Sequence, residues 1–404
     1  MIWAVLKIGW QRMLHGKLEL LLTFVVPVAF FTIFAMIFDK QMGTGKKLRV
    51  RAVIVDKDLS EVSKSITEAL AKESTIRTLQ EQDRYEGFNG TAIELATDLV
   101  RRGTISLAVV IPERWSETML NQTNSQNDIQ LIADTSNPIA PKVMSALVQR
   151  TASAKLAQKM QTKTDGPPTP RQGIRTKPIA VNVPAPAPLV VNVETLDVLA
   201  ENKVNPVVSM YAAGIAVMFL LFSATGHSGS LLDEEENQTL ERLMCSQLGM
   251  TELLFGKWLW LTLLGSLQLC VMFTWAQIAF GVDVLGHLPG FALMTFVTAG
   301  AAASFALFLA AACRTRAQLN AISIILILSM SALGGSMVPR YIMSERMQEI
   351  GHYTFNAWAL DGFTKVFWRD LPPSELWREV TVLGASAVIL LASARVLARR
   401  WESE

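Results

Sequence analysis

Six apolar runs of roughly 20 residues constrain this 404-residue chain more tightly than any other feature. An α-helix of about that length crosses the roughly 30 Å of hydrocarbon in a bilayer. The runs at Leu20–Phe38, Pro206–Thr225, Leu253–Phe280, Phe291–Cys313, Leu319–Val338 and Leu376–Leu397 therefore read as six transmembrane helices. A wholly soluble enzyme is excluded. The expected fold class is an α-helical polytopic membrane protein, six transmembrane helices with an inserted α/β extracytoplasmic domain between helices 1 and 2.

Charge follows the same division. The chain is 18% charged, below the roughly 25% of soluble proteins, and of its 37 basic and 35 acidic residues 41 fall between Asp39 and Asn205. Those 41 are nearly balanced, and a formal net charge of +2 without a dense basic stripe excludes a nucleic-acid partner. Cys245, Cys270 and Cys313 all lie outside the polar segment, so no disulfide framework is available to it.

The expected organisation is a cytoplasmic amphipathic helix at 1–19, a first span at 20–38, the extracytoplasmic domain at 39–205 and a second span at 206–226. A cytoplasmic loop at 227–252, three spans within 253–338, an outer connection at 339–375, a sixth span at 376–398 and a tail at 399–404 complete it. The first run is read as an uncleaved anchor: a secretory signal would have a shorter apolar region and a small-residue cleavage site, which Phe38-Asp39-Lys40 does not supply. Pro27 is expected to kink it.

Short cytoplasmic loops are rich in Lys and Arg. Arg242 and Lys257, then Arg314 and Arg316, then Arg395, Arg399 and Arg400 fall at junctions expected inside, while the loop from Gly281 to Gly290 has no basic residue. Both termini are therefore placed in the cytoplasm. The last outer connection departs from the rule with Arg340, Arg346, Lys365 and Arg369, offset by Glu345, Glu349, Asp361 and Asp370. Before the first span, Trp3, Leu6, Trp10, Met13 and Leu14 recur at helical spacing, as in a helix lying in the inner interface or an inward extension of the span.

In the polar segment, strands are expected at Val50–Val55, Ile105–Ile111 and Ile129–Ala133 and helices at Leu59–Lys72, Thr91–Arg101 and from Asn137-Pro138 to about Lys163. Thr164–Leu189 carries seven prolines and reads as an extended connector, after which Val190–Val193 returns toward the sheet. The segment has no His and no Cys, which removes the usual zinc and nucleophile–base arrangements. Asp56, Asp58 and Asp134 read as turn acids.

The most informative stretch, Leu232 to Met244, joins the second and third spans. Leu240, Leu243, Met244 and Leu248 share one helical face, with acids crowding the N-terminal end where the helix dipole favours them. Such a helix lies on lipid or enters a groove on a partner protein.

Glu236, then Thr239-Leu240-Glu241-Arg242-Leu243, then Leu254-Phe255-Gly256-Lys257 resemble the cytoplasmic loop of ATP-binding-cassette type-2 permeases, the membrane subunits of an exporter family. Asn237-Gln238 departs from the family's usual middle pair of Arg and Gly. One span, a large outer domain and five closely spaced spans resemble the subgroup with an extracytoplasmic insert. Leu333-Gly334-Gly335-Ser336-Met337-Val338-Pro339 and Asn356–Phe363 are similar to the family's outer connection. The resemblance implies a coupling helix seated in a separate cassette ATPase, with contacts from Glu236, Thr239, Leu240, Glu241, Arg242, Leu243 and Met244.

It further implies that this chain binds no cofactor, with ATP and Mg on the partner ATPase; Gly43-Thr44-Gly45-Lys46 lacks the spacing of a phosphate loop. Gly334, Gly335 and Pro339 end the fifth span, and Trp358, Phe363, Phe367 and Trp368 have the character of membrane-interface residues shaping an exit. Ionisable residues are almost absent from the spans, which disfavours a proton-coupled transporter. Gln268, Gln277, Asn320 and Ser329 offer a path for an amphiphile, or hydrogen bonds between helices. Gly226-His227-Ser228-Gly229-Ser230 approaches a nucleophile elbow but ends in Ser and follows a span, so no intrinsic enzyme activity is expected.

The expectation is a permease subunit of an ATP-driven exporter moving a hydrophobic or amphipathic substrate outward across a bacterial inner membrane. Its expected partners are cassette ATPase subunits, a second permease copy or paralogue, membrane lipid and a periplasmic adaptor. The rivals are a membrane-anchored receptor or scaffold, and an ATPase-linked complex that transmits force without moving cargo.

Overall fold

The computed structural model describes residues 2–40, 50–72, 76–78, 91–120, 128–133, 139–164, 193–197, 206–240, 249–338, 340 and 343–403. Contacts divide the chain into two units, residues 1–42 with 203–404 and residues 43–202. The first unit is helical: α1 Ile2–His15, α2 Lys17–Leu20 and α3 Val26–Lys40 precede the insert. Six helical stretches are long and apolar enough to span a bilayer: Lys17–Met36, Tyr211–Glu236, Met250–Phe280, Leu288–Ala312, Arg316–Gly334 and Pro373–Leu397.

Gly16 separates α1 from the first span. The apolar stripe of α1 divides its contacts: Met13 is buried and Trp10 meets Trp260 edge-on at 6.3 Å, whereas Trp3 is exposed. Between α2 and α3 the backbone widens into a π turn at Leu21–Val25. Pro27 supplies the reason, since it lacks an N–H and its ring crowds the carbonyl four residues back, at Thr23.

In the second unit, the sheet runs β2-β1-β3-β4-β5, from β1 Val50–Asp56, β2 Ile76–Thr78, β3 Leu107–Ile111, β4 Ile129–Ala133 and β5 Val193–Asp197. All neighbours are parallel except the antiparallel β3–β4 pair. α4 Glu61–Lys72, α5 Ala92–Arg101, α6 Trp115–Leu120 and α7 Ile139–Thr164 complete the unit. Leu107, Val109 and Ile111 of β3 join one core with α4 and α7, while Ala108 and Val110 join another with α5. A strand covered on both faces needs the continuous apolar run seen there. β2 and α6 carry no pattern in the sequence reading. The Pro-rich segment and Asp134 lie outside the described residues; Asp56 and Asp58 are turn acids, Asp56 accepting from the Asp58 and Leu59 amides and Asp58 from Ser60 and Ser116. Lys159 of α7 donates to Glu61 of α4 at 2.6 Å and holds that exposed carboxyl below its ordinary pKa.

The helices after the insert are α8 Pro206–Ser228, α9 Ser230–Glu236, α10 Met250–Phe280, α11 Leu288–Ala312 and α12 Arg316–Gly334. α13 Glu345–Gly351, α14 Phe355–Phe367, α15 Trp377–Leu397 and α16 Arg400–Ser403 follow. α11 is the central span. Ala299, Ala301, Ala302, Ala303, Ala306, Ala310 and Ala311 are all buried along it, and small side chains let neighbouring backbones approach. Trp258 of α10 donates its indole N–H to the Gly300 carbonyl and the Ser304 hydroxyl, at 2.9 and 3.0 Å.

At the end of the bundle holding α13 and α14, Gly335 turns the chain with φ +97°. A Cβ on Gly334 would stand 2.7 Å from that of Asn356 and 3.0 Å from the Ala357 nitrogen, so only glycine admits α14 there. Buried Asn356 donates to Ser331 and Ser336, clasping together the two stretches that resemble the family's outer connection. Pro339 lies outside the described residues. Phe363, Phe367 and Trp368 are buried rather than placed at a lipid interface: Phe367 stacks on Phe273 of α10 and Phe363 lies tilted against it. The fully amphipathic position there is Trp358, half-buried, whose indole donates to the His352 carbonyl at 2.6 Å.

Two of the four cations that break the loop-charge rule have acidic partners beside them. Arg340 pairs with Asp361 at 2.5 Å, and Lys365 with Glu379, whose side chain is 5% exposed, at 3.0 Å. Removing one partner of a buried pair strands the other charge, at a cost of about 3 kcal/mol. Lys365→Met is therefore expected to lower the thermal unfolding temperature in detergent markedly, and Lys365→Met with Glu379→Leu to recover most of it.

Candidate functional site

α8 is followed after one residue by α9. Gly229 accommodates a bend and α9 continues with Leu231 and Leu232 buried, so the next three side chains, Asp233, Glu234 and Glu235, are carried along one turn at the end of the bundle. Each meets a base from a different part of the chain. Arg316, opening α12, donates to Asp233; Lys257 of α10 donates to Glu234 at 2.6 Å and to the Ser230 hydroxyl at 3.1 Å; Arg400, after α15, stands 4.0 Å from Glu235. Arg400 also donates to the Cys313 carbonyl at the end of α11, and Arg395 of α15 to Thr251 of α10 at 2.7 Å. The half-buried positions of Lys257 and Glu234 make their attraction stronger than a surface pair's. One turn of acid thus brackets the same ends of α10, α11, α12 and α15.

From residue order alone those acids belong to the start of the loop helix, where its dipole favours them. The structure corrects this: they end the second span and are ion-paired to others. The signal was present in the chain, since Lys257, Arg316 and Arg400 all fall at junctions expected on one membrane face and need counter-charges there.

Beyond α9 the chain turns at Gln238, with φ +53°. Glu236 is exposed, Thr239 is exposed and returns its hydroxyl to the Glu234 carbonyl at 3.0 Å, and Leu240 is buried. Glu241, Arg242, Leu243 and Met244 lie outside the described residues. Of the expected path residues, Gln268 is buried with neither amide atom hydrogen-bonded among the described residues, Gln277 is half-buried, and Asn320 and Ser329 are exposed on α12. They are not brought to one face, because Asn320 and Ser329 point away from the interior that holds Gln268. Among the described residues no group of three His, Cys, Asp or Glu side chains could hold a metal ion.

Six helices long and apolar enough to cross a bilayer make the class a multi-pass membrane protein. Residues 17–395 match the ABC-2 family transporter protein model, and the chain belongs to that family. Along 396 aligned residues it is 22% identical to the linearmycin resistance permease protein LnrN of Bacillus subtilis (strain 168), covering 93% of this chain and 96% of the relative. Family membership makes this a multi-pass membrane permease whose partner is an ATP-binding cassette subunit that carries the nucleotide and Mg.

Reversing one charge of the Glu234–Lys257 pair sets like charges 2.6 Å apart in a half-buried place. Glu234→Lys and Lys257→Glu are each expected to lose about 3 kcal/mol of stability, read as a lower unfolding temperature and aggregation on size exclusion. The double exchange is expected to regain most of the loss, as independent sites would not.

Proposed function

We propose that this chain is the membrane subunit of an ATP-driven exporter, acting as a pair with itself or a paralogue on two cassette ATPases. The observation that carries the reading is the bracket of Asp233, Glu234 and Glu235, immediately before the segment resembling a coupling helix. A push on that segment reaches α9 first, and ion pairs to Arg316, Lys257 and Arg400 hand it to three other parts of the bundle. Glu236, Thr239, Leu240, Glu241, Arg242, Leu243 and Met244 are the ATPase contact in this reading.

In this reading the bracketed end and both termini face the cytoplasm and the membrane is a bacterial inner membrane; the basic junctions support the orientation. The inserted α/β unit then faces outward, where a periplasmic adaptor has access to it. Exposed apolar side chains on α12 and α15, such as Ile325 and Val388, meet lipid or the second permease. A relative named for linearmycin resistance supports outward movement of a toxic hydrophobic or amphipathic compound.

Pull-down of the tagged chain from its native membranes is expected to bring a cassette ATPase, and reconstituted vesicles to move an amphipathic compound only with ATP. Leu240→Asp with Arg242→Glu is expected to lower ATPase recovery and flux at least tenfold while the permease still folds. Undiminished recovery and flux in that variant would overturn the coupling assignment; ATP turnover with no flux would favour a force-transmitting machine.

A further inference from the structure

A half-open cavity of about 540 Å³ lies in the membrane unit beside the bracket, lined by α1, α2, the π turn, α3, α8, α9, α10 and Arg316 of α12. Its size suits a small organic ligand. Along α8 the lining changes from Phe219 and Phe222 to His227, with Glu234 following on α9, and Leu22 and Leu261 add apolar surface. From Phe219 to His227 along α8 is about 12 Å at 1.5 Å per residue, so the cavity is long and changes from apolar to polar along the bundle axis. That is the shape of a single-chain amphiphile.

Hydrogen bonding tells which head group fits. The cavity's two bases are already engaged: Lys257 by Glu234 and Ser230, Arg316 by Asp233 and, at 3.4 Å, by the Gly226 carbonyl. What is left over accepts. Glu234 Oε2 is buried with no hydrogen-bond partner among the described residues, and so is His227 Nε2. The His227 Nδ1–H donates to the Ser223 carbonyl at 2.8 Å, which leaves Nε2 of the neutral ring as an acceptor. Glu19 adds a second carboxylate to the lining. A buried acceptor without a donor is costly, and a charged donor is its strongest partner.

We propose that this cavity binds an amine-bearing amphiphile, its chain against Phe219 and Phe222 and its ammonium group between Glu234, His227 and Glu19. The Glu234 carboxylate then holds the ligand through Oε2 and Lys257 through Oε1, so occupancy bears directly on the bracket that precedes the coupling segment. That last link rests on the coupling reading; the binding itself does not.

The test uses dodecylamine carrying a photoreactive diazirine in its chain, with dodecanoate of the same length and label as control. The full chain is held in phosphatidylcholine nanodiscs without nucleotide, and crosslinked peptides are mapped by mass spectrometry. The amine is expected to label residues 219–234 and their cavity neighbours at least tenfold more than dodecanoate does, and unlabelled dodecylamine to compete. Phe222→Trp and, separately, Val26→Phe fill the space and are each expected to cut that labelling at least tenfold, so a misfolded variant of one leaves the other. Glu19→Gln is expected to narrow the preference for amine over carboxylate. Equal labelling by the two probes would overturn the charge selection, and labelling spread over lipid-facing helices, unchanged by both filling variants, would overturn the site. Because no nucleotide or ATPase enters this measurement, its failure is distinct from a failed ATPase pull-down.

Discussion

Charged side chains are paired at both ends of the described helical bundle, and those pairs set which helices are neighbours. Apolar helices surrounded by lipid gain nothing from hiding apolar surface from one another, so packing of small residues and pairing of polar groups must hold them. The alanines of α11 supply the first, bringing α10, α14 and α15 against it. Ion pairs at the two ends supply the second: Asp233, Glu234 and Glu235 with their bases at one, Arg340–Asp361 and Lys365–Glu379 at the other. Isolated, each of these charges would be a burden close to hydrocarbon. Paired, they fix which helices are neighbours.

The two ends are held together differently. At the α9 end, one turn of helix reaches three bases from separate parts of the chain, so displacement of that turn is shared. At the α14 end the connection is closed by contact rather than by charge alone: Gly334 against Asn356 and Ala357, Asn356 on Ser331 and Ser336, and an aromatic cluster of Phe273, Phe363 and Phe367. The cavity beside the bracket borrows Glu234 from it, which brings a candidate ligand position and a candidate coupling element onto a single carboxylate.

Much of this was legible from residue order. Length and hydropathy located the candidate spans because six apolar runs of that length match the hydrocarbon thickness of a bilayer, and Gly334-Gly335 marked a turn because few other residues tolerate positive φ. Phe363 and Phe367 were misread as interface aromatics, since sequence shows that a side chain is apolar and large but not whether lipid or another helix covers it. Gln268 reads as a path residue equally with Asn320 and Ser329; only the fold separates a buried amide from two surface ones.

The sequence by itself determined that the chain crosses a membrane repeatedly, that its polar mass sits between the first two spans, and that its family loop follows the second. Those properties are written in local hydropathy, charge and motif, which do not depend on distant residues. Only the tertiary structure decided that the three acids of α9 meet Arg316, Lys257 and Arg400, and that α1 and the π turn line a cavity beside α8. Pairing between residues as far apart as Asp233 and Arg316 is set by which helix faces pack together, and that is a property of the assembled bundle.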